Sequence, residues 1–436
     1  MKTTVKVIGA GLAGCEAALQ LANRGINVKL YEMKPKKFSP AHKSENFAEL
    51  VCSNSLKADR VENACGLLKE EMRHFGSVMM ESADVSRVPA GGALAVDRDS
   101  FSQFITEKIK SNPNIEVVAE EVVSINPDEY TIIATGPLTS DALSDAIKEI
   151  TGDSGLSFYD AAAPIITEES IDKDKVFRAA RYDRGTADYI NCPMTKEEYT
   201  AFYNELINAE TAELKGFENS KVFEGCMPVE IMAKRGFETL TFGPLKPVGL
   251  TNPKTGKDDS YAVVQLRQDN SEGTLYNLVG FQTNLKWGEQ KRVFSMIPGL
   301  SDADFVRYGV MHRNTFINSP KLLDKYYRMR KHPKVYFAGQ ITGVEGYVES
   351  ASSGIMAGYN LACELLGHPM PEYDNKTVTG ALATYISNDS VTDFQPMNAN
   401  FGIVASLDMK IRKKQERYAK VAERALEEIK KIPTEI

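Results

Sequence analysis

The stretch VKVIGAGLAGCEAALQLANRGINVKLYE, residues 5–32, decides the fold. Its pattern predicts a buried strand, a glycine-rich turn, a helix and a second strand, over residues 5–8, 9–14, 15–24 and 28–31. The turn has the form G-x-G-x-x-G, and the second strand ends at an acid. This order of elements is typical of the first βαβ unit of a dinucleotide-binding domain.

Each part of the turn has a physical task. The first glycine permits the tight turn, the second lets backbone amides approach a pyrophosphate, and the third lets helix and strand pack closely. The helix N-terminus adds positive potential for the phosphates. Glu32, 18 residues after Gly14, can accept hydrogen bonds from two ribose hydroxyls. The predicted contacts are Gly9, Ala10, Gly11, Leu12, Ala13, Gly14 and Glu32, whereas Cys15 is predicted to be a small core residue.

Composition limits the class of protein. A chain of 436 residues predicts two domains, or one core with a large insertion. The net charge of −7 means that nucleic-acid binding would need a local basic surface. Six scattered cysteines without a C-x-x-C pair do not suit a disulfide framework or a zinc site, so we expect a reducing cytoplasm and no metal. Without a run of 18 apolar residues, no membrane span is expected.

Two later segments indicate which dinucleotide is bound. TIIATGP (131–137) and VYFAGQITGVEGYVESASSGIMAG (335–358) each read as a strand followed by a glycine-containing turn, and a small-residue helix follows the second. The isoalloxazine and ribityl chain of FAD need such a second strand-to-helix edge. A second G-x-G-x-x-G, typical of a separate nicotinamide domain, is absent from the sequence. These segments favour FAD over an ordinary βα unit, with contacts at Gly136, Gly339, Gln340, Gly343 and Gly346.

The predicted fold class is α/β, with a discontinuous FAD-binding Rossmann-like domain. Residues 1–155 are predicted to form its first part and residues 325–436 its second, interrupted by a mixed α+β insertion domain over 156–324 on the substrate side. Apolar runs alternating with Gly, Pro and Asn predict an antiparallel sheet with flanking helices in the insertion. Residues 403–431 predict a charged C-terminal helix whose mixed signs indicate a solvated face rather than an RNA clamp.

Four motifs carry a resemblance to a known family. GAGLAGCEAA (9–18), CSNSLK (52–57), GCMPVE (225–230) and FAGQITGVEGYVESASSG (337–354) resemble the folate- and FAD-dependent tRNA (uracil-5-)-methyltransferases. That family lies within the flavoprotein group of glucose-inhibited division protein A, whose wobble-uridine-modifying member shares ITGVEGYVESA. CSNSLK and EGCMPVE point to the methyltransferase, and the similarity extends over nearly the whole chain.

The resemblance implies methylation of C5 of a uridine in the T loop of tRNA. 5,10-Methylenetetrahydrofolate would be the one-carbon donor, FAD the carrier and reductant, and NADH or NADPH the electron source. Because C5 of uracil is a poor nucleophile, such an enzyme needs a thiolate that adds to C6. The family assigns that role to Cys226 and places Cys52 near the flavin, and their division of labour stays open, as does a buried structural role for each. Lys57 adds a positive charge that favours a thiolate at Cys52.

Folate and RNA contacts are also predicted. The resemblance implies that His312 stacks on the pterin, and Arg313 is a further candidate for the folate carboxylate. Residues 286–334 contain eleven Lys and Arg against four Asp and Glu, so Trp287, Lys286 and Arg292 are predicted to contact the T arm of tRNA. Ordinary solvated charge is the alternative.

Three other functions remain open. The same chemistry could act on a ribosomal-RNA uridine, the chain could be a small-molecule flavin oxidoreductase, or it could be a flavoprotein that assists another RNA-modifying complex. Replacing Cys226 by serine and measuring salt-dependent RNA binding separate these classes. The oligomeric state and the choice between NADH and NADPH are left open.

Overall fold

The structure is a computed structural model that describes residues 3–152, 156–183, 185–212, 227–309, 311–392 and 394–436. The strands in chain order are β1 (Thr4–Ile8), β2 (Asn27–Glu32), β3 (Ser55–Ala58), β4 (Arg87–Val88), β5 (Ala93–Val96), β6 (Ile115–Ala119), β7 (Thr131–Ile133), β8 (Leu156–Ala161), β9 (Ile165–Thr167), β10 (Phe177–Arg178), β11 (Ile190–Met194), β12 (Ala262–Gln268), β13 (Leu275–Leu278), β14 (Phe305–Arg307), β15 (Met311–Phe316) and β16 (Val335–Phe337). The helices are α1 (Leu12–Ala22), α2 (Ala64–His74), α3 (Val78–Val85), α4 (Arg98–Ser111), α5 (Asp141–Thr151), α6 (Lys196–Asn208), α7 (Val229–Lys234), α8 (Thr239–Phe242), α9 (Trp287–Phe294), α10 (Ser319–Leu322), α11 (Tyr347–Leu366), α12 (Val378–Ser387) and α13 (Lys414–Ile429).

A parallel sheet lies at the centre of the first core. Its strand order is β16-β7-β1-β2-β6, and every neighbouring pair is parallel. The apolar residues of β1 and β7 are buried, so other parts of the chain cover both faces of the sheet there. The carboxyl ends of β1, β2, β7 and β16 therefore open onto one edge, where a doubly wound sheet binds its ligand. The predicted α/β fold class is confirmed.

Two helices from opposite ends of the chain lie in close backbone contact. A Cβ atom on Gly354 would lie 2.2 Å from the Ala13 carbonyl oxygen, and one on Gly358 would lie 2.7 Å from that of Ala17. Only glycine permits α11 to approach α1 this closely. The contact places the turn after β16 beside the glycine-rich turn after β1.

The middle of the chain forms a second core. Six antiparallel strands pair in the order β10-β11-β12-β13-β9-β14, and apolar residues between 163 and 305 cluster around them. The first core draws on residues between 5 and 150 and between 316 and 432. The antiparallel sheet predicted for the insertion is confirmed. A two-stranded ribbon of β8 and β15 lies between the two cores along the chain.

The C-terminal helix is shorter than the sequence predicts. Helix α13 covers Lys414–Ile429, and residues 403–413 are not helical. Ser406 and Asp408 have low helix propensity because their side chains compete for backbone hydrogen bonds. Within the described ranges, every helix is too short or too polar to cross a bilayer.

Candidate active site

A cleft opens at the carboxyl edge of the parallel sheet. Its empty volume is about 1260 Å³, part of which is open to solvent. The predicted site residues that line it are Gly9, Ala10, Gly11, Leu12, Ala13, Glu32, Cys52, Gly136, Gly339 and Gln340. The fold thus brings together residues from four distant parts of the sequence.

The glycines of the glycine-rich turn serve two purposes: some permit close packing of the backbone, and one leaves open space for a ligand. Gly9 has a φ of +98°, and a Cβ there would lie 2.7 Å from the Ala134 carbonyl oxygen. A Cβ on Gly14 would lie 1.8 Å from the Gly9 oxygen, so this glycine serves helix packing and does not line the cleft. A Cβ on Gly11 would meet no atom within 4 Å. Gly11 therefore leaves the space that a phosphate needs before the N-terminus of α1.

Glu32 is held in place at the end of β2. Its carboxylate accepts hydrogen bonds from the backbone amides of Ala10 (2.9 Å) and Lys34 (3.0 Å). An acid anchored beside the glycine-rich turn matches the ribose-binding position of a dinucleotide fold. The turn and this acid fit the adenosine and pyrophosphate of FAD.

The second strand-to-helix edge adds residues that the sequence did not single out. Tyr347 and Ser350, in the first turn of α11, line the cleft beside Gly339 and Gln340. Gly343 and Gly346 lie outside this lining. A Cβ on Gly343 would lie 2.5 Å from the Phe394 ring, and one on Gly346 would lie 2.2 Å from Glu349. Both glycines shape the turn that leads into α11.

Tyr347 holds the Cys52 loop against the cleft. Its hydroxyl oxygen accepts hydrogen bonds from the amides of Cys52 (2.7 Å) and Ser53 (3.3 Å) and lies 3.0 Å from the Cys52 sulfur. Because two amides occupy the oxygen, the hydroxyl hydrogen is directed to the sulfur. Burial, with the neighbouring Cys52 as a smaller cause, raises the pKa of Tyr347 well above its usual range. Tyr347 therefore stays protonated and remains a donor.

Three arginines, here called the arginine clamp, donate hydrogen bonds to the Cys52 loop and hold it in place. Arg98 donates to the carbonyls of Leu50 and Val51, and Arg307 also donates to that of Val51. The third member, Arg267, donates to the side chains of Ser53 (2.8 Å) and Asn54 (3.2 Å).

The clamp joins the two cores. Arg98 belongs to α4 of the first core, and its Nε and Nη2 bind both oxygens of Asp269, at 3.1 and 3.2 Å. Asp269 follows β12 of the second core and is buried. Lys57, expected to act on Cys52, instead pairs with the buried Glu349 at 2.8 Å.

The remaining described cysteines are buried and do not line the cleft. Cys15, Cys65, Cys192 and Cys363 are buried, as predicted for Cys15, whereas Cys52 is half-buried. Burial raises the pKa of all four buried thiols, to about 12 for Cys65. The predicted nucleophile Cys226 lies outside the described residues, which resume at Met227 before α7.

The predicted folate residues lie on a strand that contacts the wall of the cleft further along its length. His312 and Arg313 lie in β15, where His312 pairs with Asp160, and their side chains lie outside the described part. Thr315 of the same strand donates its amide to the carbonyl of Pro137, which lines the cleft.

The predicted RNA contacts lie on α9 or, for Lys286, directly before it, and they are not among the residues that line the cleft. Trp287 is 62% exposed and stacks on Tyr308, with ring centroids 5.6 Å apart. Lys286 pairs with Glu210 at 2.6 Å. Arg292 pairs with Glu289 at 2.8 Å and also with Glu205.

Comparison with known proteins shows the family. The chain matches the family described as "Glucose inhibited division protein A" over residues 4–369. A methylenetetrahydrofolate--tRNA-(uracil-5-)-methyltransferase TrmFO of Acetivibrio thermocellus is 65% identical over 426 residues, 98% of either chain. The protein of the same description from Listeria monocytogenes serovar 1/2a is 60% identical over 436 residues, the whole of both chains.

A solved structure of Aquifex aeolicus GidA has a TM-score of 0.70 at 16% identity, covering 99% of this chain and 78% of that one, and this likeness shows the shared fold. The family match and the identity over 98–100% of each chain point to the same group. The chain belongs to the glucose inhibited division protein A family and, within it, to the group of the TrmFO relatives.

Proposed function

We propose that the protein is a FAD-dependent methyltransferase that transfers a one-carbon unit from 5,10-methylenetetrahydrofolate to C5 of a T-loop uridine in tRNA. The observation that carries the proposal is the Cys52 thiol, held by Tyr347 on the wall of a dinucleotide cleft. Full-length relatives at 60–65% identity bear the name of this activity. That identity favours tRNA over ribosomal RNA and over a small-molecule oxidoreductase.

The cleft contains residues that could bind each half of the cofactor. Glu32 would hold the adenosine ribose, and the amides around Gly11 would hold the pyrophosphate. Gly136, Gly339 and Gln340 would flank the other half. When bound, FAD supplies carrier and reductant chemistry for the one-carbon unit, with NADH or NADPH as the electron source.

Two thiols divide the work on the uracil. Cys226 is the proposed nucleophile: its thiolate bonds to C6, and the C5=C6 electrons shift toward the C4 carbonyl, which makes C5 nucleophilic. After C5 has bonded to the one-carbon unit, loss of the C5 proton to a base lets the bond between that carbon and its carrier break and leaves a methylene group on C5. Hydride, which FAD would supply with NADH or NADPH as the electron source, would add to this methylene and complete the methyl group as the C5=C6 bond re-forms and the thiolate leaves C6. Cys52, hydrogen-bonded to Tyr347, is a second group able to hold or move a proton, at its sulfur. Working thiols suit a reducing cytoplasm.

The donor is proposed to be bound by the β8–β15 ribbon and the RNA by the second core. His312 is proposed to stack on the pterin, and Arg313 to bind the folate carboxylate. Trp287, Lys286 and Arg292 are proposed RNA contacts. Trp287 stacks on Tyr308, whose chain neighbour Arg307 reaches the Cys52 loop. These contacts link Trp287 to the Cys52 loop and support an approach of the RNA to the cleft from the side of α9.

Cysteine variants test the proposal. We expect Cys226→Ser to abolish formation of 5-methyluridine in unmodified tRNA, and Cys52→Ser to reduce it by about 10²-fold or more. Both variants should retain bound flavin. The matched control is Cys363→Ser, a buried thiol that should leave methylation intact. Full activity in Cys226→Ser would contradict the proposal.

A further inference from the structure

A short basic segment stands apart from the rest of this acidic chain. Residues 410–417 contain five Lys and Arg and one acid, within a protein of net charge −7. The five cations, all exposed, are Lys410, Arg412, Lys413, Lys414 and Arg417. We call residues 410–417 the basic segment.

Carboxylates do not neutralise this segment, unlike the cations of α9. Lys286 and Arg292 each pair with glutamate. Across the ranges that the structure describes, ion pairs near the C-terminus join Lys420 to Glu423 and Lys431 to Glu428 and include none of the five cations. The basic segment therefore presents its positive charge to solvent.

The position of these charges opposes helix stability. Helix α13 begins at Lys414, and Lys413 at the N-cap provides no side-chain cap. Cations next to the positive end of a helix dipole are unfavourable. Natural sequences break local rules of this kind mainly at functional sites.

Packing contacts connect the segment to the active-site cleft. Lys414 and Arg417 lie over the Tyr418 ring, at 5.5 and 5.3 Å, and Tyr418 packs on Phe401 at 4.4 Å. Two residues before Phe401, the Ala399 amide donates to Glu349 at 3.0 Å. Glu349 lies in the first turn of α11, as does the cleft residue Tyr347.

We propose that the basic segment binds the phosphate backbone of the substrate RNA. The inference rests on the proposed function, because tRNA is the polyanion that this cleft would serve. Dense exposed cations without acidic partners suit phosphates, which are bound by releasing counterions and without reading sequence. The segment would position the RNA, while recognition of the uridine stays at the cleft.

The test compares two variants of equal charge change. One carries Lys410→Gln, Arg412→Gln, Lys413→Gln and Lys414→Gln, which leaves Arg417 on Tyr418. The control replaces Lys29, Lys108, Lys148 and Lys173 by glutamine, four exposed lysines that pair with acids elsewhere on the surface. The affinity for unmodified tRNA is measured from low to high salt, together with methylation, flavin content and thermal unfolding.

We expect the basic-segment variant to lose affinity about tenfold or more, and its log–log salt slope to fall by about 3, since each phosphate contact contributes about 0.7–0.9. The KM for tRNA should rise while kcat and flavin content stay near wild type. Its thermal midpoint should be unchanged or higher, because repulsion at the start of α13 is relieved. A slope and affinity equal to those of the control variant would overturn the inference. That result would leave the proposed function intact, because the wild-type protein would still methylate tRNA. A wild-type protein that is inactive on tRNA would overturn both proposals.

Discussion

The contact between Tyr347 and Cys52 is the most specific feature at the scale of single residues. One hydroxyl orients two backbone amides and one thiol in a loop almost 300 residues away in sequence. A phenol that burial keeps protonated can serve this purpose at any working pH. The hydroxyl therefore fixes both the position and the hydrogen bonding of the sulfur.

Tyr347→Phe isolates that hydroxyl. We expect methyl transfer to fall about tenfold or more, and the free energy of unfolding to fall by about 1–3 kcal/mol, because two amides lose their acceptor. The pH profile of Cys52 alkylation, followed by peptide mapping, should change as well. Tyr359→Phe, which removes a hydroxyl bonded to the Pro433 carbonyl, is the control. An unaltered alkylation profile in Tyr347→Phe would refute this role.

Two buried glutamates predict an unusual pH dependence of stability. Burial raises the pKa of Glu71 to about 7 and that of Glu16 to about 7. The Glu71 carboxylate accepts hydrogen bonds from the amides of Val378 and Thr379. The folded state therefore binds these protons more tightly than the unfolded state, where the pKa is near 4.5. Proton binding by these two glutamates contributes fully to the free energy of unfolding below pH 4.5. This contribution falls as the pH rises toward 7 and then levels off.

Glu71→Gln removes one of the two groups. Its thermal midpoint should decline less between pH 5 and pH 7 than that of the wild type, because glutamine does not ionise. The exposed Glu427→Gln is the control and should follow the wild type. Equal declines in Glu71→Gln and the wild type would show that Glu71 has an ordinary pKa when folded.

At the scale of elements, the cleft depends on the approach of α11 to α1. Gly354→Ala would place a methyl group 2.2 Å from a backbone oxygen, so the helices must separate. We expect a stability loss of about 3 kcal/mol and weaker flavin binding. Gly288→Ala in α9, where a Cβ meets no atom within 4 Å, should be neutral or stabilising by up to about 1 kcal/mol. Flavin titration and thermal unfolding compare the two, and equal behaviour would contradict the packing argument.

The sequence predicts those elements whose signals are local. Strand β1, the glycine-rich turn, α1 and β2 occupy 29 consecutive residues, so periodicity and glycine spacing reveal them together. Tyr347, Arg98 and Arg307 lie far from Cys52 in sequence, and no spacing rule connects them to it. Charge counting over 286–334 likewise finds Lys286 and Arg292 but not Glu210 and Glu205, which pair with them from another part of the chain.

At the scale of the whole molecule, the arginine clamp joins two separate apolar cores. The domain boundaries 1–155, 156–324 and 325–436 stay predictions. They are supported by the buried apolar residues, which form one cluster between 163 and 305 and another from the residues before and after that range. Because Arg98 binds both the Cys52 loop and Asp269, the second core helps to set the position of a first-core thiol.

Arg98→Lys tests this coupling. Lysine keeps the charge but cannot bind both oxygens of Asp269 and the loop carbonyls together. We expect a loss of about 3 kcal/mol in stability, a calorimetric transition that splits into two, and reduced methylation. Arg87→Gln, which breaks the exposed pair with Asp59, should leave a single transition. A single transition at the wild-type midpoint in Arg98→Lys would count against the coupling.

The central claim is the origin of the methyl group, and donor tracing tests it most directly. The purified flavin-bound protein is mixed with unmodified tRNA, methylenetetrahydrofolate labelled at its one-carbon unit, and NADH or NADPH, and the nucleosides are separated. We predict label in 5-methyluridine from the T loop, with none transferred when labelled S-adenosylmethionine replaces the folate. Flavin-bound protein that leaves the tRNA unlabelled with the folate donor would contradict the proposed function.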